Sequence, residues 1–108
     1  MDESIVRRAA EDHGQGLVRG DMKRAGSYWY AWNEEVKQMA GSIMPQMPNP
    51  VSSAEVVDVR PDGDQFVVHT LYSGQDKLTT VESRWEEQGG RTVMVAAKVS
   101  AVSEVPEG

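Results

Sequence analysis

The chain changes its hydrophobic rhythm once. Between residues 4 and 44, apolar positions recur at the spacing of one helix face. From residue 52 to residue 100 they alternate or cluster in short blocks between turn residues, as strands do. The pattern predicts an α+β fold with N-terminal helices packed on a curved antiparallel sheet.

The first helix is expected over 4–18, capped by Ser4, with Ile5, Val6, Ala9, Ala10, His13, Leu17 and Val18 on its apolar side. Gly14 and Gly16 are costly inside such a helix and imply either an early end or the close approach of another backbone. Gly20-Asp21 reads as a stop followed by a cap. A second, short helix begins at Met22. Ser27 to Trp32 fits a strand by its aromatics and a helix by the spacing of 22, 25, 29 and 32, and the favoured reading is a helix that runs out near Gly26 into an extended aromatic segment. Asn33 caps a third helix, whose face is Val36, Met39, Ala40 and Ile43, and Pro45, Pro48 and Pro50 end it in a loop.

Four strands follow, at 55–60, 65–72, 77–86 and 91–99, joined by short turns at Pro61-Asp62-Gly63-Asp64, Ser73-Gly74-Gln75-Asp76 and Gln88-Gly89-Gly90. Turns this short make neighbours in sequence antiparallel partners. The domain is expected to occupy residues 4–100, with 101–108 a flexible tail. The third strand sets Val81, Ser83 and Trp85 against Glu82, Arg84 and Glu86. The second and fourth are apolar on both sides: Val67 and Leu71 against Phe66, Val68 and Tyr72, and Val93, Val95, Ala97 and Val99 against Met94 and Ala96. Strands apolar on both faces need two covers. The helices supply one, so a homodimer through the sheet is expected to supply the other.

Composition narrows the function classes. The 108 residues make one domain, and 39% hydrophobic with 26% charged residues is ordinary for a globular chain. The net charge of −6, with Arg7, Arg8, Arg19, Lys23 and Arg24 interleaved among acidic residues, leaves no basic footprint for nucleic acid. The absence of cysteine removes disulfides, thiolate metal sites and cysteine nucleophiles. The acidic start Met1-Asp2-Glu3-Ser4 is unlike a signal peptide, and no apolar run reaches the roughly 20 residues that span a bilayer. No membrane association and a cytoplasmic location are expected. No glycine-rich phosphate loop or serine nucleophile elbow occurs, and no cofactor is expected.

Arg19-Gly20-Asp21 between the first two helices, and the closing segment Val81-Glu82-Ser83-Arg84-Trp85-Glu86-Glu87-Gln88-Gly89-Gly90-Arg91, carry a family resemblance. With the order of elements over residues 4–99, the chain resembles the nuclear-transport-factor-2-like (SnoaL-like, cystatin-like) fold. That fold hosts polyketide cyclases, steroid isomerases, dehydratases, epoxide hydrolases and many non-catalytic proteins. The resemblance therefore implies a cone with a pocket between sheet and helices, often a dimer, and no particular reaction. Tyr28-Trp29-Tyr30 stands where the family has an acid-rich strand, and no residues align with the paired aspartates and tyrosine of the isomerases.

Five residues are pocket candidates: His13, Tyr28, Tyr30, Trp32 and His69. His13 lies on the apolar side of helix one, where it serves either as a base or ligand donor, or as a helix-end histidine of structural purpose. Glu11 and Asp12 point elsewhere around the helix, so His13 is expected to stay neutral. His69 shares a strand face with Val67 and Leu71, lining a pocket or a subunit interface, or acting structurally. Two histidines with no acidic residue at ligand spacing are a poor metal signal, so no metal is expected. The aromatic cluster is either core or a pocket wall with a tyrosine hydroxyl as donor. Trp85 is expected in the core. Three functions remain open: a binding domain for a small apolar molecule, which is favoured, a proton-transfer enzyme using a pocket histidine or tyrosine, and a structural or protein-interaction dimer.

Overall fold

The computed structural model describes residues 1–105. Three helices, α1 (Glu3–Arg19), α2 (Met22–Gly26) and α3 (Glu34–Ile43), precede four strands: β1 (Ser53–Asp62), β2 (Gln65–Ser73), β3 (Lys77–Gln88) and β4 (Arg91–Glu104). The strands form one open sheet in the order β1-β2-β3-β4, every pair antiparallel. No helix among the described residues is long and apolar enough to cross a membrane.

Each helix start is set by a short polar side chain. The cap of α1 is Asp2 rather than Ser4: its carboxylate accepts from the Ile5 N–H at 3.0 Å, while the Ser4 hydroxyl donates to that same carboxylate. An ionised carboxylate at the positive helix end is a stronger acceptor than a neutral hydroxyl. Asp21 and Asn33 cap α2 and α3 in the same manner.

The glycines of α1 are there for close approach. A methyl group at position 16 would stand 3.1 Å from the Ala25 backbone nitrogen, and one at position 14 would stand 3.0 Å from the Ala54 methyl. The helix therefore continues through both glycines, with α2 laid against one and β1 against the other. Past α2 the aromatic segment straightens. Met94 N–H donates to the Tyr28 carbonyl at 2.7 Å, and Tyr30 N–H donates to the Met94 carbonyl at 3.0 Å. Trp29 thus makes a single parallel bridge to β4.

Two differences from the sequence pattern concern β4. It runs on to Glu104, with Ala101–Glu104 paired to Lys77–Thr80, and Val105 N–H donates to the Asp76 carbonyl. That part of the expected tail belongs to the ladder, because a longer β3 offers it partners; residues 106–108 lie outside the described residues. The simple alternation of β4 also breaks. Trp85 pairs with Met94 and Arg84 with Ala96, leaving Val95 as an unpaired bulge residue. Met94 and Ala97, of opposite parity, consequently reach the same core.

That core lies between α1, α3 and one sheet face, around Val6, Ile43, Val59, Val68, Tyr72, Trp85 and Met94. The other face carries a row of charged and polar side chains. His69 sits between Asp58 of β1 and Glu82 of β3, its Nδ1 at 3.3 Å and Nε2 at 3.2 Å from their carboxylate oxygens. Arg60 and Lys98 extend this row at either end, and Arg84 pairs with Asp62 alongside it. Val67 is buried and Leu71 half-buried beneath these long side chains.

Candidate functional site: a cavity between the helices and the sheet

The helices do not close fully on the sheet, and a cavity of about 450 Å³ remains between them. Strand alternation in β2 and β3, and the bulge in β4, build one wall: Thr70 and Tyr72 of β2, Val81, Ser83 and Trp85 of β3, and Met94 and Ala97 of β4. His13 and Leu17 of α1, Ala25 and Ile43 build the opposite wall. Met22, Trp32 and Met44 border the cavity and are themselves exposed, so they mark its mouth. Trp32 is 61% exposed, unusual for so large an apolar side chain. Lys23, on the same rim, is the one charged residue of the lining.

His13 is fixed by three contacts. Its Nδ1 lies 2.9 Å from the Ala25 carbonyl oxygen, and its ring stands edge-on to Tyr28 and Trp85, with centroids 6.0 and 6.2 Å away. A carbonyl only accepts, so Nδ1 carries the proton and Nε2 of the neutral ring holds the lone pair. Nε2 has no hydrogen-bond partner among the described residues and is not sealed off from open space. Burial holds the imidazole below its ordinary value of 6.5, against the weaker opposing pull of the Ala25 carbonyl. The neutral, acceptor-bearing form therefore prevails at neutral pH.

The remaining polar groups of the wall are hydroxyls. Ser83 Oγ accepts from Trp85 Nε1 at 2.8 Å, which satisfies the indole and leaves the serine proton to point elsewhere. Tyr72 is 2% exposed, and its hydroxyl has no partner among the described residues. Burial pushes the phenol well above its usual 10.0, so it too stays neutral. Thr70 completes the set.

No protein-family model, curated protein or solved structure matches this chain. Function is therefore read from the geometry of the cavity.

Of the five sequence candidates, His13 and Trp32 line this cavity and three residues do not. The Tyr28 ring supports His13 and Trp85, but its hydroxyl donates to Asp12, which also holds the Arg24 guanidinium. Tyr28 is spent tying α1, α2 and the aromatic segment together. Tyr30 is turned outward, its hydroxyl accepting from the Asn33 side-chain amide at 3.0 Å. His69 belongs to the outer sheet face, because it has the parity of Val67 and Leu71 while Phe66, Val68, Thr70 and Tyr72 face the core. Its carboxylate partners come from neighbouring strands, so no spacing along the chain reveals them. The reading of the sequence missed Thr70, Tyr72 and Ser83 as lining residues. Their signal was available, since they share parity with Val68, Val81 and Trp85.

Proposed function

We propose that the chain is a binding domain for a small apolar molecule, held in the cavity between α1, α3 and the sheet. The observation that carries this reading is a preformed cavity of about 450 Å³ whose walls are mainly hydrocarbon and aromatic, with a few polar side chains among them. Ligand sites have that size and that make-up. The exposed Met22, Trp32 and Met44 at the mouth suit an apolar guest, since methionine and tryptophan offer adaptable, polarizable contact. The nuclear-transport-factor-2-like assignment belongs to this proposal. It rests on helices followed by an antiparallel sheet, and on Gly20-Asp21 at the α1–α2 junction. The test is calorimetric titration with naphthalene: saturable binding to the wild type that Ala97→Leu abolishes is the expected result. A cavity that takes up no apolar probe overturns it.

A second reading, proton-transfer chemistry, is favoured by one observation. His13, with its free Nε2, and Tyr72, with its neutral hydroxyl, line the same cavity. A base and an acid lining one cavity are the minimum for such a step. Its test is hydrogen–deuterium exchange at the α-carbon of a bound aromatic ketone, 2-tetralone. Exchange faster than in buffer, and lost in His13→Phe, would raise this reading above the first.

A further inference from the structure

We infer that the ligand of the cavity is a neutral molecule with an apolar body and one hydroxyl group, and that this hydroxyl donates its proton to His13 Nε2. The inference rests on the binding reading above and names the chemistry of the guest.

Three observations carry it. The first is the fixed tautomer. With Nδ1–H committed to the Ala25 carbonyl, Nε2 has an acceptor lone pair and no proton of its own. It lacks a partner among the described residues and is open to the space beside it, on a side chain that is half-buried. An acceptor held in that state is complementary to a donor and leaves an acceptor-only guest unpaired beside it.

The second is the charge of the lining. Lys23 is its single charged residue and stands exposed at the rim, so a carboxylate or ammonium carried inward would meet no counter-ion. Burying such a charge unpaired is far costlier than burying a hydroxyl. The depressed basicity of His13 points the same way, since the ring does not become a cation that could welcome an anion at neutral pH.

The third is the opposite wall. Ser83 Oγ, its acceptor capacity partly used by Trp85 Nε1, retains a proton to donate. A guest hydroxyl that gives its proton to His13 has lone pairs left for a hydroxyl donor of that kind. A hydroxyl satisfies both roles, whereas an ether satisfies only the second.

The test compares four probes of one shape on the full chain at neutral pH: naphthalene, 2-naphthol, 2-methoxynaphthalene and 2-naphthoate. The expected order places 2-naphthol about tenfold tighter than both the smaller naphthalene and the larger methyl ether, the scale of one hydrogen bond. The anion is expected to be weakest. In His13→Phe the preference for 2-naphthol over the ether disappears. Because that variant also removes the bond to Ala25, the wild type gives a second readout: the ¹⁵N resonance of His13 Nε2 moves on adding 2-naphthol and holds still on adding the ether. Equal binding of naphthol and ether, or an unmoved resonance at saturation, overturns the inference and leaves the apolar-site reading standing. Failure of all four probes to bind overturns both.

Discussion

His13 carries the sharpest consequence of a single position. Its folded form resists protonation because the ring is buried and no carboxylate faces it. Below 6.5 the unfolded chain takes up a proton that the folded chain refuses, so stability falls as pH drops from 6.5 towards the lower folded value. Above 6.5 this contribution is complete. Urea unfolding of the wild type and of His13→Phe across this range is expected to show their difference in stability shrinking, to the wild type's loss, as pH falls. A constant difference would mean that the ring titrates as it does in water. Gly16 gives a test of opposite kind. Adding a methyl group there drives it against the Ala25 backbone, which cannot rotate away as a side chain can. Gly16→Ala is expected to destabilise by about 1–3 kcal/mol, the usual cost of overpacking, despite the better helix propensity of alanine. Chemical denaturation measures it.

At the scale of elements, the bulge in β4 decides which side chains meet the core. Met94 is 2% exposed and pairs with Trp85, so Met94→Glu places a charge in the core and is expected to abolish cooperative unfolding. Val95, the bulge residue beside it, is half-buried, and Val95→Glu is expected to leave the circular dichroism spectrum native. The turn between β2 and β3 is similarly constrained. A methyl group at Gly74 would fall 2.5 Å from the Pro48 side chain and 2.7 Å from the Pro50 carbonyl oxygen. The proline loop is thus seated on that turn, with the Thr79 hydroxyl donating to the Gln46 carbonyl beside it. Helix faces and strand turns were legible in the sequence because each follows from local periodicity and from Gly, Pro, Asn or Asp at set offsets. The bulges were not, because a bulge is a property of two strands in register, and its extra residue looks like any other in the pattern of one strand.

At the scale of the molecule, the cavity and the outer sheet face set the expectations. Ala97→Leu adds methylenes at the cavity wall, where there is space for them. It is expected to raise stability by roughly 1–2 kcal/mol, from about 0.8 kcal/mol per buried methylene, while blocking apolar probes. A thermal melt and a naphthalene titration read the two effects. The homodimer through the sheet remains our proposal, and the row Arg60–Asp58–His69–Glu82–Lys98 changes what it has to bury. Charged side chains already roof Val67 and Leu71, so the interface would be part polar and sensitive to salt. Analytical ultracentrifugation is expected to show a dimer at low ionic strength that Val95→Glu weakens. A monomer at every concentration rejects it.

What the chain's sequence determined by itself is local. The helices, their caps at Asp21 and Asn33, the order of four strands and the acidic charge all follow from neighbours a few residues apart, as does His13 on the apolar side of α1. Tertiary structure alone decided which atoms of those residues are free. Asp12, one step from His13 in the chain, is turned to Arg24 and Tyr28, and His69, in an apolar-looking strand, is met by carboxylates from both neighbouring strands. Nothing in the sequence near His13 names the Ala25 carbonyl as its partner, because that contact exists only where Gly16 lets α2 settle against α1. The same contact fixes the proton on Nδ1 and leaves Nε2 of this cavity-lining ring as an acceptor. A hydrogen bond between residues brought together by folding is a fact of three dimensions, and here the chemistry of the site depends on it.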